Sequence, residues 1–235
     1  MATARARNDP AQYDDLIGEW WKPRGALAML QWIAEARAAL VPPADRRGAL
    51  LVDLGCGGGL MAPHAARLGY DHLGVDVTAS ALAVAAAHGV RAVRGDAGRA
   101  PLRSGVADVV CAGEILEHVA DADAVVREAC RLLRPGGHLV VDTIAGTRLA
   151  ALLAVEVAER LPGAAPAGIH DPALFVDRRR LRAVAASAGV PLQLRGLRPA
   201  WLELAAWAAG RRGAVRMVPT FTTSVLFQAW GVKGA

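Results

Sequence analysis

Cysteine is scarce in this chain of 235 residues: only Cys56, Cys111 and Cys130 occur, an odd number with no CxxC spacing. Neither a disulfide framework nor a zinc site is indicated, and a reduced cytoplasmic compartment is the expected setting. Long hydrophobic runs are missing too, since no stretch approaches the ~20 apolar residues that a membrane-spanning helix needs. The opening residues MATARARNDP carry arginines but no apolar core, so no signal peptide is expected. Aromatics make up only 5% of the chain and do not interleave with its basic residues, which argues against nucleic acid as a partner. There is no internal repeat and no long linker. The net charge of +5, largely from arginine, suits anionic substrates or an anionic membrane surface without selecting either.

What is present is an alternation of strands and helices. Residues 10–40 read as helical, broken at Trp20-Trp21, Pro23 and Gly25. Strands are predicted at Leu50–Leu54, His72–Val77, Arg91–Arg94, Val106–Ala112 and His138–Thr143. Helices are predicted between them at Met61–Leu68, Ser80–Ala87 and Ala122–Leu133. Such an order implies a parallel sheet covered on both faces. After Thr143 the pattern changes. Thr147–Leu161 is predicted as a helix with Arg148, Glu156, Glu159 and Arg160 in a narrow polar stripe, ended by Pro162–Pro166. A helix at Arg178–Ala188 and a late strand at Thr222–Trp230 follow, while residues 190–221 carry no motif.

The most informative stretch is LVDLGCGGGL, residues 51–60, a buried strand running into a glycine loop and a helix start. Glycines let the backbone turn sharply and let a ligand approach the main chain, as in nucleotide pockets. Gly57, Gly59 and Ala62 fit a shifted dinucleotide pattern, with Asp76 as the distant acid, so NAD stays in play on this segment alone. Asp76 closes its strand where a carboxylate can accept from ribose hydroxyls, the alternative being a helix-capping aspartate. Asp53 precedes the glycines, where it could attract a cationic ligand or brace the loop. Asp96 follows the third strand, where an acid could accept from an adenine amino group.

DLGCGGG, GVDV, RGDAGRAPL, ADVVCAGEILEHV and LLRPGGHLVV, in this order over residues 48–145, resemble the motifs of class I S-adenosylmethionine-dependent methyltransferases. The resemblance implies an α/β, Rossmann-like fold: a seven-stranded, mostly parallel sheet with helices on both faces and a small helical insertion or lid. It implies an N-terminal helical cap at 1–47, a cofactor-binding core at 48–145, an insertion and helix at 146–190, and closing strands at 191–235. S-adenosylmethionine would be held by Asp53, Gly55, Cys56, Gly57, Gly59, Asp76, Val77, Asp96, Ala97 and Glu114. Cys56 reads as a small packing residue rather than a nucleophile.

The finer resemblance is to the UbiG/Coq-type quinone-biosynthesis O-methyltransferases. It is carried by WWKPRGALAMLQWI, EILEHV and the insertion ending in Gly168-Ile169-His170-Asp171. It implies methyl transfer to a phenolic hydroxyl of a catechol or hydroquinone bearing a polyprenyl tail. An aromatic natural product as acceptor, by O- or C-methylation, is the alternative substrate class, and a non-catalytic methyltransferase-like subunit is the alternative function. At i, i+3 and i+4, Glu114, Glu117 and His118 would share one helical face. With His170 they could hold a divalent ion such as Mg or Mn, as a similar EIxEH arrangement does in small-RNA 2′-O-methyltransferases. His118 acting as a base without metal is the second reading; purely structural roles are the third. His64, His72, His88 and His138 are expected to be structural or exposed. The 147–161 helix is expected to be a lid or a peripheral membrane contact, the alternative being a helix buried on the sheet or in a dimer interface. Oligomeric state is not read from the chain.

Overall fold

The computed structural model describes residues 6–9, 11–160 and 165–235. The end expected for the 147–161 helix, and most of the Pro162–Pro166 break, lie outside the described residues. The apolar runs became strands β1 (Leu50–Leu54), β2 (Asp71–Asp76), β3 (Arg91–Arg94), β4 (Ala107–Gly113) and β5 (Leu133–Ile144). All five are parallel, and they join three antiparallel-paired strands, β6 (Gln193–Pro199), β7 (Met217–Thr220) and β8 (Leu226–Val232). The sheet order is β3-β2-β1-β4-β5-β8-β6-β7. β1 and β4 are buried along almost their whole length, as strands covered on both faces must be.

This is an eight-stranded sheet, one strand more than expected. The additional strand is β7, whose Pro219 argues against a strand in a sequence reading. Proline is tolerated there because β7 is the edge of the sheet, where a missing N–H costs no ladder bond.

Helices α1 (Gln12–Asp15), α2 (Ala28–Ala38), α3 (Ala62–Leu68), α4 (Ala79–Ala87), α5 (Ala122–Leu132), α6 (Arg148–Ala151), α7 (Arg178–Ser187) and α8 (Trp201–Ala208) complete the fold. One large apolar cluster joins β1, β4 and β5 to α5 and α7, and a second packs α2 and Trp20 against the sheet. The expected 147–161 helix is not a uniform α-helix. After α6 it widens into a π-helical stretch, Leu152–Val157, and tightens into a 3₁₀ turn, Ala158–Arg160. Strong helix formers gave no local hint of that widening.

The sheet order reverses between β1 and β4: β2 and β3 lie to one side of β1, β5 to the other side of β4. Ligands of open α/β sheets bind at such a switch point, beyond the carboxyl ends of the strands. Asp53 is in register with Cys111, so the glycine loop after β1 and Glu114 after β4 emerge side by side.

Candidate active site

Backbone geometry explains the glycines. Gly55 has φ +69° and donates its N–H to the Val75 carbonyl at 2.8 Å; a Cβ there would lie 2.6 Å from Ile115. Gly57 has φ +50°, and a Cβ there would lie 2.3 Å from the Trp20 ring. Asp76 braces this loop. Its Oδ2 accepts the Gly57 N–H at 2.9 Å and its Oδ1 the Thr78 N–H at 2.8 Å, so it supports the loop and the approach to α4 together. Asp53 is buried on the same cavity, 3.6 Å from His72 Nε2. His72 is therefore a buried partner of Asp53, contacted across the β1–β2 pair rather than along the chain. Cys56 packs its sulfur against Gly74, and burial pushes its thiol up, as befits a packing residue.

Asp53, Gly55, Cys56, Gly57, Asp76, Val77, Glu114, His118 and His170 all line one cavity of about 630 Å³. Gly59 lies behind the loop against Ala85. Asp96 and Ala97 do not line the cavity; exposed Asp96 accepts the Gly98 N–H at 2.7 Å, and Ala97 belongs to the core.

The expected single helical face of Glu114, Glu117 and His118 does not form. Glu114 is left-handed at φ +52°, and Leu116–His118 is one 3₁₀ turn. At about 120° per residue, such a turn sends Glu117 and His118 in different directions. Glu117 turns inward, where it is fully buried and its Oε2 accepts the Thr143 hydroxyl at 2.8 Å. Glu114 faces the cavity with Oε1 lacking a hydrogen-bond partner; burial, and next the Glu117 charge, hold its carboxyl well above the usual range. His118 Nδ1 lies 2.6 Å from Asn8 Oδ1 and Nε2 lies 3.3 Å from the Tyr13 hydroxyl. His170 stacks on His118, with ring centroids 5.6 Å apart, and its Nδ1 meets Glu159 at 3.2 Å. His118 and His170 are thus brought together and share the cavity with Glu114, but the four expected ligands do not converge on one point, because Glu117 is turned to Thr143 and His170 to Glu159. Among the described residues no cluster of three or more His, Cys, Asp or Glu side chains is placed to hold a metal ion. The donor set as arranged does not fit a divalent cation.

Asn8, Tyr13 and Arg37 were not singled out in the sequence, while Trp20 and Glu159 were read there as part of a helix break and of a polar stripe rather than as site residues. Arg37 on α2 forms a buried bidentate pair with Asp142, at 2.7 and 2.8 Å, and lines the cavity. A charged residue within the apolar run of α2 was its one local signal. Tyr13 stacks on Trp20, centroids 5.9 Å apart, and Trp20 Nε1 is a buried donor without a hydrogen-bond partner. Glu159 is buried beneath Arg7 and accepts the Gly168 and His170 N–H groups.

Burial pushes the Glu117 carboxyl up to about 7 from its ordinary 4.5. The folded protein then binds a proton here that the unfolded chain has already lost, so stability falls as pH rises from 4.5 towards 7. Glu117→Gln, which cannot ionise, is expected to gain roughly 1–3 kcal/mol over the wild type at pH 8 and almost nothing at pH 4. Denaturant unfolding of both proteins across that range measures the difference; equal slopes would refute it.

Fold and site together define a class I S-adenosylmethionine-dependent methyltransferase. The chain matches the methyltransferase domain family over residues 52–141. It is 37% identical to the ubiquinone biosynthesis O-methyltransferase of Ralstonia nicotianae, over 84% of this chain and 88% of that protein. It is 34% identical to the enzyme of the same name from Cupriavidus pinatubonensis, over 80% and 81%. The chain belongs to the family of these ubiquinone-biosynthesis O-methyltransferases. In fold it is similar to a methyltransferase of Thermotoga maritima, with TM-score 0.65 and 18% identity over 94% of this chain and 96% of that one. The magnesium protoporphyrin IX methyltransferase of Synechocystis gives TM-score 0.63 and 15% identity over 95% and 97%.

Proposed function

We propose that this enzyme methylates a phenolic hydroxyl of a catechol or hydroquinone carrying a long apolar tail, in quinone biosynthesis. One observation carries the reading. A single cavity of about 630 Å³ joins the glycine loop, Glu114 and His118, and an apolar passage lined by Leu153, Val157, Trp201, Leu204 and Met217. The names of the relatives favour the same substrate class.

The donor end suits S-adenosylmethionine, which when bound supplies an electrophilic methyl group on a sulfonium. Asp76 stands at the carboxyl end of β2, where ribose hydroxyls can donate to it. Arg37 keeps Nη1 beyond its two bonds to Asp142, a cation for the methionine carboxylate, and Trp20 Nε1 is a free buried donor on the same cavity. Asp53 supplies buried negative charge on the sulfonium side. At the acceptor end His118 takes the phenolic proton. A phenol with pKa about 10 is a poor nucleophile until that proton leaves. The apolar walls exclude water from the transfer. No metal step is assigned, because Glu117 faces Thr143 and, among the described residues, no cluster of three or more His, Cys, Asp or Glu side chains is placed to hold a metal ion.

The test is transfer of label from S-adenosylmethionine to paired catechols with and without an isoprenyl chain. Methyl ethers are expected, with KM lowered tens-fold by the chain, since each buried methylene contributes about 0.8 kcal/mol. Absence of transfer to any phenol would overturn the reading.

Lipid access from a membrane surface belongs to the same proposal. Leu149, Leu152, Trp201, Leu202 and Phe221 are exposed beside the cavity-lining Leu153 and Thr220, with Arg148, Arg198 and Arg216 near them in the chain. The contact proposed is a peripheral one; among the described residues no helix is long and apolar enough to cross a membrane. Leu152→Asp with Leu153→Asp is expected to cut flotation with anionic vesicles at least several-fold. Unchanged flotation would argue against it.

A further inference from the structure

We infer that Asn8 positions His118 for proton abstraction, an inference that rests on His118 being the base. The main-chain oxygen of His118 can only accept, and Asn8 Nδ2 donates to it at 3.0 Å. That contact fixes which end of the Asn8 amide is nitrogen. Its oxygen is then the atom 2.6 Å from His118 Nδ1. An amide oxygen cannot donate, so Nδ1 must carry the imidazole proton and Nε2 the lone pair.

The lone pair points to the right place. Nε2 lies 3.3 Å from the hydroxyl of Tyr13, itself a phenol and itself on the cavity wall. A phenolic O–H is therefore already seated on the base, and Tyr13 marks the position an acceptor hydroxyl takes when it displaces that side chain. In the reaction the acceptor O–H bond breaks and its proton passes to Nε2. The oxygen's electron pair forms the O–CH₃ bond as the S–CH₃ bond breaks. The imidazolium keeps Nδ1–H on Asn8 Oδ1 until Nε2 returns its proton to solvent.

Asn8 is held for this role from its other side. Its N–H donates to the Gly168 carbonyl at 3.0 Å, two residues before His170. Its φ of +58° is left-handed, a conformation asparagine tolerates better than most residues. One residue so joins the N-terminal segment, the 3₁₀ turn of His118 and the insertion.

The test uses the full chain with ¹⁵N-histidine, S-adenosylmethionine and a 4-isoprenylcatechol as probe. The wild type is expected to show His118 protonated on Nδ1. Asn8→Ala is expected to shift His118 towards the Nε2–H tautomer and lower kcat about 10- to 100-fold, leaving KM for S-adenosylmethionine within twofold. Asn8→Asp, which still accepts from Nδ1 but loses the donor to the His118 carbonyl, is expected to restore the tautomer and only part of kcat. A merely structural tether would move KM or stability and leave the tautomer alone. An Nδ1–H tautomer or kcat unchanged in Asn8→Ala, while His118→Gln is inactive, overturns this inference only. Full activity in His118→Gln overturns the base assignment and this inference with it.

Discussion

His118→Gln is expected to lower kcat by about 10²–10⁴-fold, the range a positioned general base contributes, while leaving S-adenosylmethionine binding intact. The reason lies in where His118 sits. It comes from the 3₁₀ turn after β4 and lines the cavity there, whereas the part proposed to hold the methyl donor is lined by the loop after β1, which Asp76 braces. Burial, reinforced by the neighbouring His170, lowers its pKa to about 3. The imidazole is therefore neutral at every working pH, with its lone pair unprotonated, although the same burial makes it a weak base in the free enzyme. In the free enzyme, kcat/KM is expected to show no ascending limb near 6.5 from this residue, only below pH 4. Glutamine preserves hydrogen bonding at the position but cannot take a full proton, so the loss reports base chemistry. Chelator treatment is expected to leave the wild-type rate unchanged. A variant within a few-fold of wild type, or a chelated enzyme rescued by Mg²⁺, would sink the assignment.

The parts that could be read from the sequence are those encoded locally. β1, β2, β4 and β5 carry apolar residues between turn residues, and the loop at 55–59 announces itself because Gly55, Gly57, Gly58 and Gly59 fall within five residues. Glu114, Glu117 and His118 were found by motif, but their directions were not. Direction depended on whether EILEHV formed an α-helix or a 3₁₀ turn, and the left-handed Glu114 decided it. Glu114 takes that conformation while its N–H donates to the Asp142 carbonyl at 2.8 Å, a contact with a distant strand that no local pattern encodes. Asn8 and Tyr13 lie 110 and 105 residues from His118, so their contacts with it have no sequence spacing to betray them. β7 falls in residues 190–221, which carry no motif, and its Pro219 fits a strand only because that strand is an edge.

Arg37→Leu is expected to destabilise the protein by about 3–5 kcal/mol, the usual result of stripping one partner from a buried ion pair. Arg37 reaches from α2 across the end of β4 to Asp142 on β5, and neither side chain is more than 8% exposed. Gly113 makes the crossing possible: a Cβ there would lie 1.7 Å from the guanidinium carbon. Asp142 thus depends on one cation, and leucine leaves its carboxylate in a dry site beside Asp53, where burial already pushes it up. For a domain of this size the loss corresponds to a melting temperature lower by roughly 10 °C. Replacing both partners discriminates between pairing and packing. Arg37→Leu with Asp142→Leu removes the orphaned charge, and most of the lost stability is expected to return, because buried pairs barely outperform apolar substitutes. Its activity is expected to stay low, since the guanidinium also lines the cavity. Equal instability of the single and double variants would mean that Arg37 acts through its packing on Gly113, with its charge idle.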